Sequence, residues 1–257
     1  MTAKLLPEIE AFLKPLGKVI LSMSGGKDSV TTWCLLKELG LDVRPFYMQM
    51  IPGLSWIEDY LTYLEGHFGV PILRVQHPQT YHWLRTMGGQ PPHRLGALRL
   101  LQLPRFDYPD VEDGVRWSLS ARDLTAGGRK VPYEDITRNG PWKGAWVAVG
   151  TRVADSPARR KSFGRLGWKR DGLRKLYPIY NFLKADLIDV LKRHEVRLSP
   201  CYKMFARSFD GVDFRFLDAI RTDHPADYER IRQWLPLIDA EFARVQFARK
   251  HGLATIT

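Results

Sequence analysis

Short apolar runs separated by polar, glycine-bearing turns set the rhythm of the first third of the chain. Lys18-Val19-Ile20-Leu21-Ser22 is β-branched and apolar, the pattern of a buried strand. Val30 to Leu39 carries helical spacing and stops at Gly40, a C-cap residue. Val43 to Met48 reads as a second strand. Ser55 opens a helix to about Phe68, with Ser55 as N-cap and Glu58 in the capping-box position. Pro71 to Val75 is a third strand, and a short amphipathic helix interrupted by Pro15 precedes all of these, from Leu5 to Leu16. Alternating strands and helices predict a parallel sheet with helices on both faces, a doubly wound α/β fold.

The rhythm breaks between about 81 and 142. His93 to Leu103 has helical spacing, but Pro91-Pro92, Pro104, Pro109, Gly127-Gly128 and Gly140-Pro141 mark a loop-rich insertion. A strand returns at Ala145 to Val149 and leads into Gly150-Thr151-Arg152. Leu176 to Tyr180 forms another strand before a helix from Lys184 to about His194. The tail after Asp213 is helical in pattern, notably Ala226 to Leu237 and Ala240 to Lys250. These readings predict an α/β domain over 1–205 and a helical appendage over 206–257.

With 257 residues, 44% of them hydrophobic, the chain can bury a sizeable core. No apolar run reaches the roughly 18–20 residues that span a bilayer, so no membrane partner is expected. The first residues turn acidic at Glu8 and make a poor signal peptide, which leads to a cytoplasmic expectation. Two cysteines, Cys34 and Cys201, are too few for a thiolate zinc site or an iron–sulfur cluster. Cys34 falls in an apolar helix and is expected to be buried, whereas Cys201 follows Pro200 in an expected loop and is a candidate thiol nucleophile.

Charge changes the picture further. The net charge is +11, and the stretch from Arg152 to Lys175 holds nine cations against Asp155 and Asp171. Such a field draws polyanions: a nucleotide, an anionic second substrate, or nucleic acid. Arg159 and Arg160 are expected to face the site and grip the small ligand. Lys169, Arg170, Arg174 and Lys175 are expected to lie further out and meet a larger anion. Trp117, Trp142, Trp146 and Trp168 lie near or within the basic insertion, where packing beneath loops outweighs stacking on bases. His77, His82 and His93 are read as structural or surface residues rather than metal ligands.

The chemistry concentrates in Ser22-Met23-Ser24-Gly25-Gly26-Lys27-Asp28-Ser29, between a strand and a helix. Two glycines let backbone approach an anion, and the N–H groups and dipole of the following helix point at it. Ser22, Ser24 and Ser29 add hydroxyls, and Lys27 adds a mobile charge suited to a pyrophosphate leaving group. Asp28 can hold Mg²⁺, which takes few carboxylates together with phosphate oxygens. The spacing differs from the Walker loop.

Ser24-Gly25-Gly26-Lys27-Asp28-Ser29 resembles the signature of the PP-loop ATP pyrophosphatase superfamily, whose members cleave ATP to AMP and pyrophosphate while adenylating a substrate. Gly150-Thr151-Arg152-Val153-Ala154-Asp155-Ser156-Pro157-Ala158-Arg159-Arg160 is similar to the Gly-x-Arg-x-x-Glu-Ser-x-x-Arg block of the PAPS reductase-like family, which also takes in proteins of DNA phosphorothioation and phage and plasmid proteins. Tyr177-Pro178-Ile179-Tyr180 and Ser199-Pro200-Cys201-Tyr202 are similar to two further segments of it. The resemblance implies an adenine nucleotide alpha hydrolase-like fold using ATP and Mg²⁺. It implies phosphate contacts from Ser22, Ser24, Gly25, Gly26, Lys27, Asp28 and Ser29, with Gly150 and Arg152 bordering the nucleotide and Met48 beside adenine. Lys27 and Arg152 would be catalytic, Asp28 would hold the metal, and Arg159 and Arg160 would bind the second substrate. The departures are Asp155 in place of Glu, Ser118 where some members carry cysteine, and no cysteine after Phe205. They favour an ATP-dependent adenylating protein over a sulfonucleotide reductase or sulfotransferase using Cys201, and over a non-catalytic nucleotide- or nucleic-acid-binding protein.

Overall fold

The computed structural model describes residues 3–76, 144–209, 211–212, 214–235 and 238–252. The expected insertion at 81–142, with Trp117, Trp142, Ser118, His77, His82 and His93, lies outside the described residues. The described residues fall into two compact units, one within 3–48, 59–75 and 144–199, the other within 49–58, 76 and 200–252.

In the first unit the chain forms α1 (Pro7–Leu13), β1 (Lys18–Met23), α2 (Lys27–Glu38) and β2 (Asp42–Gln49). Helix α3 (Ser55–Phe68) and strand β3 (Leu73–Gln76) follow. After the undescribed stretch come β4 (Val147–Val149), α4 (Pro157–Leu166), β5 (Lys169–Arg170), β6 (Lys175–Leu176) and α5 (Lys184–Arg193). The six strands make one sheet in the order β3-β2-β1-β4-β6-β5. β1 pairs in parallel with both β2 and β4, β4 pairs in parallel with β6, and the two-residue β5 is antiparallel to its neighbour β6. This is an α/β protein with a mostly parallel sheet.

Val19, Ile20 and Leu21 are fully buried in succession, as a strand covered on both faces requires. Helix α2 is buried from Ser29 through Leu36, because it lies against β1, β4 and α5. Within it, Trp33 stacks on Phe68 with ring centroids 4.1 Å apart. Cys34 is also fully buried, and burial followed by the nearby Glu38 carboxylate pushes its thiol up to about 12, so it is an inert core residue.

Several boundaries move from the sequence reading. Helix α2 starts at Lys27 rather than Val30, so Lys27, Asp28 and Ser29 form its first turn. Gly40 does close it in a left-handed conformation, its N–H donating to the Lys37 carbonyl at 2.9 Å. The strand read over Leu176 to Tyr180 shortens to Lys175–Leu176. Tyr177 to Tyr180 instead turn, with Tyr180 N–H donating to Tyr177 O at 3.1 Å.

The second unit adds α6 (Cys201–Phe205), α7 (Phe214–Asp223), α8 (Pro225–Trp234) and α9 (Ala240–Lys250). Trp56, Phe205, Phe209 and Phe216 meet edge to face at its centre. Cys201 begins α6 and sits 5% exposed in this apolar cluster, not in a loop. The start of α3 is held by a distant residue rather than by its own capping box. Buried Asp227 accepts from Ser55 N–H at 2.9 Å and from the Ser55 hydroxyl, while Glu58 accepts from Gln49 Nε2 at 2.5 Å. Among the described residues no helix is long and apolar enough to cross a membrane.

At the C-terminal end of α2, Glu38 accepts from Arg193 Nη2 at 2.8 Å and lies 2.6 Å from His194 Nε2. Burial alone would raise its carboxyl. The hydrogen bonds from His194 and Arg193, with their charges, outweigh that and hold it below the ordinary carboxylate range. A depressed carboxyl adds stability that is present above the unfolded value and disappears as pH falls through the folded one. Thermal melting should therefore fall with acidification below the ordinary carboxylate range, and less steeply in Glu38→Gln. Parallel melting curves for the two proteins would refute this assignment.

Candidate functional site

In an open parallel sheet, ligands settle beyond the strand C-termini where neighbouring strands lead away in opposite directions. Here that switch lies between β1 and β4, which pair side by side as Ile20 with Val147, Leu21 with Ala148 and Ser22 with Val149. The glycine loop leaves β1 and the Gly150-Thr151-Arg152 segment leaves β4, so both motifs emerge together. Met48, half-buried, stands one residue past the pairing of Met23 with Tyr47, on the same sheet edge.

The loop is closed by its own serines. Ser29 donates its hydroxyl to Gly26 O at 2.9 Å and accepts from Ser24 N–H at 3.2 Å. Its single proton is thereby used, so the Ser24 hydroxyl must donate across the 3.2 Å contact to Ser29 Oγ. Ser24 Oγ in turn accepts from Gly26 N–H at 3.3 Å. Gly25 takes φ +69°, a conformation that side chains disfavour, and Gly26 caps α2 without a side chain. The two serines thus hold the turn, and the dipole of a buried helix ends behind it. Ser22 is half-buried on β1 between Phe46 and Val149.

Gly150 is where the two motifs touch. A Cβ added there would lie 2.7 Å from both the carbonyl carbon and the oxygen of Asp28, and 2.8 Å from Ser29 N. Only a hydrogen fits between β4 and the first turn of α2. Two residues on, the Arg152 side chain is buried, and every nitrogen of its guanidinium is satisfied. Nε donates to Asp28 Oδ1, Nη2 to Asp155 Oδ1 at 2.8 Å, and Nη1 to the Phe182 carbonyl at 3.3 Å. Asp155 also accepts from Arg152 N–H at 2.9 Å and from Arg159 Nη1 at 2.6 Å. Lys27 Nζ lies 3.0 Å from the other Asp28 oxygen. Five charges alternate in sign from the loop outward: Lys27, Asp28, Arg152, Asp155, Arg159.

This network fits an anion well and Mg²⁺ only in part. Asp28 is the single carboxylate of the loop, and each of its oxygens faces a cation. A Mg²⁺ ion would have to share it with Lys27 or Arg152. Among the described residues no group of three or more His, Cys, Asp or Glu could hold a metal ion.

Arg159 and Arg160 separate. Arg159 is tied to Asp155 although half-exposed, its N–H capped by Ser156 Oγ at 3.2 Å, whereas Arg160 is exposed on α4. The outer charges are spent internally more than expected. Lys169 pairs with Asp171 at 2.8 Å and lies over the Phe12 ring. Arg170 donates to the Leu166 and Gly167 carbonyls at the end of α4, and Arg174 to Gly144 O. Trp146 and Trp168 pack edge-on against Phe12, as the packing reading expected. Arg159, Arg160, Lys161, Arg165 and Arg174 are exposed in this stretch, and Arg160, Lys161 and Arg165 share one side of α4 within about 140° at helical spacing.

Sequence reasoning missed Tyr60. Its ring carbons lie 3.8 and 3.9 Å from where a Cβ on Gly25 would stand, so the ring bounds the turn on that side. No local signal marks it, because thirty-five residues separate it from the loop and its spacing is that of an ordinary core position on α3.

No known family model matches the chain, and no curated protein matches it. Among solved structures the chain is similar to a U34-tRNA thiolase from Methanococcus maripaludis carrying a [4Fe-4S] cluster. The identity is 15% and the TM-score 0.39, over 90% of this chain and 78% of that one. It is also similar to an NH3-dependent NAD synthetase from Campylobacter jejuni, in complex with nitrate. Here the identity is 13% and the TM-score 0.41, over 97% of this chain and 96% of that one. Likeness at this level carries no argument about activity.

The Gly150 contact yields a direct test. Gly150→Ala forces backbone apart and should cost about 1–3 kcal/mol. At about 2–4 °C per kcal/mol, melting should drop by several degrees. Gly164→Ala, in α4 with open space around it, should leave melting unchanged or raise it. Equal melting temperatures for Gly150→Ala and wild type would show that β4 and α2 do not meet as described.

Proposed function

We propose that the chain binds ATP at the loop between β1 and α2 and cleaves it between the α and β phosphates, passing AMP to a nucleophile on a second substrate. The observation that carries this reading is the meeting of two anion-seeking motifs at one switch point: a serine-locked glycine turn on a helix N-terminus, and a buried arginine held against its first turn. The Gly150 to Arg160 block supports the narrower PAPS reductase-like assignment. In this reading Ser24, Gly25, Gly26 and Ser29 line the β and γ phosphates, Gly150 borders the nucleotide, and Met48 lies on the adenine side.

The nucleophilic oxygen attacks the α-phosphorus. A bond to that oxygen forms, the α–β bridging bond breaks, and its electron pair leaves on pyrophosphate. Lys27 follows the charge gathering on the leaving group, and Arg152, already oriented by Asp155 and Phe182 O, stabilises the α-phosphate oxygens. Mg²⁺ arriving with the nucleotide would neutralise phosphate charge, with Asp28 its protein ligand. Buried Cys201 opposes the thiol-dependent alternative, since a reactive thiolate needs exposure and a cationic setting.

A reading of the second substrate as nucleic acid has its own support in α4. Arg160 and Lys161 stand in the helix's first half, where its dipole disfavours cations. Lys161 and Arg165 repel at i,i+4, and the first turn holds no acidic residue. An external polyanion lying along the exposed side would relieve each of these costs. Arg159 and Arg160 would then bind the strand nearest the nucleotide.

With Mg²⁺ and the acceptor, wild-type protein should exchange labelled pyrophosphate into ATP, and Lys27→Ala should lose this by about 100-fold or more. Release of ADP and phosphate, or thiol-dependent release of sulfite from PAPS, would overturn the reaction. For the acceptor, affinity for a fluorescent oligonucleotide should fall steeply with salt. Lys161→Gln with Arg165→Gln should flatten the log–log slope by about 1.4–1.8. An unchanged slope, or no binding at low salt, removes nucleic acid.

A further inference from the structure

We infer that Tyr60 is a positioning residue for the phosphate turn, setting the height and tilt of Gly25 through a clamp on Arg197. The inference rests on the phosphate-binding reading of the loop. Gly25 is the loop position with a left-handed φ, so its peptide planes face where no β-carbon hinders an anion. A backbone so shaped needs support on its other side. Tyr60, 6% exposed, bounds that side, its ring carbons 3.8 and 3.9 Å from where a β-carbon on Gly25 would stand.

The ring is itself fixed at its far end. Tyr60 donates its hydroxyl to the Arg197 carbonyl at 2.8 Å, and Arg197 N–H donates to the Tyr63 hydroxyl at 2.9 Å. The Arg197 guanidinium lies 3.9 Å from the centre of the Tyr63 ring, which stacks beside Tyr60 at 5.9 Å. Tyrosines three residues apart on α3 therefore grip the N–H and the carbonyl of one residue, Arg197, in the segment after α5. That segment arrives through Glu195, whose φ of +53° turns the chain back toward α3. The clamp has two parts with separable effects. The ring supports Gly25, and the hydroxyl only stops the ring from sliding.

Removing the ring should therefore displace the N–H groups that meet phosphates without touching the contacts to a nucleoside. In Tyr60→Leu, Kd for ATP and for inorganic pyrophosphate should rise about tenfold or more, since small misplacements of converging donors are costly. Kd for adenosine should stay within about twofold, less than 0.5 kcal/mol. Tyr60→Phe keeps the ring and should bind ATP within about threefold of wild type. The amide resonance of Gly25 should move in Tyr60→Leu and return in Tyr60→Phe, which reads the contact with no nucleotide present.

Equal weakening of ATP and adenosine would reduce Tyr60 to a general core residue and overturn the inference. So would unaltered ATP affinity in Tyr60→Leu. If Tyr60→Leu does not fold, Tyr60→Met, which also removes the ring, is read by the same criteria, and a Gly25 resonance at its wild-type position in that variant would also overturn the inference. Wild-type protein that binds neither ATP nor pyrophosphate fails differently: it removes the phosphate reading itself, while the Gly25 resonance still reports whether Tyr60 holds the turn.

Discussion

The contact between Gly150 and the first turn of α2 governs the geometry of the site. β1 and β4 are neighbours in the sheet, yet side-by-side strands alone would leave their exit loops free to diverge. With a hydrogen in place of a β-carbon, the β4 exit comes within van der Waals reach of the peptide joining Asp28 and Ser29. Arg152 is then close enough to reach Asp28 while its backbone N–H turns to Asp155. A buried guanidinium left without partners would be strongly unfavourable, and here the partners come from three separate stretches of chain. Loop, helix and strand exit therefore hold one another.

The alternating charges give this arrangement its chemical character. Lys27 and Arg152 flank Asp28, and Arg152 and Arg159 flank Asp155, so the cations are ordered without being cancelled. A site that must receive a polyphosphate gains from cations fixed beforehand, because little reorganisation is left for the moment of binding. The same ordering weakens Asp28 as a metal ligand. A carboxylate already shared by two cations holds a divalent ion less freely than one facing solvent.

Much of the α/β core was legible because its signals are local. Val19 to Leu21, the glycine pair, the α3 span and the Ala240 to Lys250 helix each follow from spacing within a few residues. Errors fell where a distant partner overrode a local rule. Ser55 resembled the first half of a capping box, but the buried carboxylate of Asp227 reached its N–H first, and Glu58 was free to meet Gln49. Cys201 followed a proline and resembled a loop thiol. It instead starts α6, buried in an apolar cluster that includes side chains of α7 and α8.

The sequence by itself determined the chemistry on offer: two glycines between a strand and a helix, serines on either side, a lysine and an aspartate at the helix start, and an arginine two residues beyond Gly150. Those are properties of adjacent residues, and hydrogen bonding within five positions is enough to close the turn. Tertiary structure alone decided that Gly150 lies against Asp28, that Arg152 reaches Asp28 from 124 positions away, and that the Tyr60 ring lies near Gly25. It also decided that Arg174 meets the Gly144 carbonyl from thirty positions away, whereas Lys169 and Arg170 bond to groups within four residues. The physical reason is common to all four. Each depends on distances across the sheet or between packed elements, and the order of strands that fixes those distances is a property of the whole fold rather than of any segment.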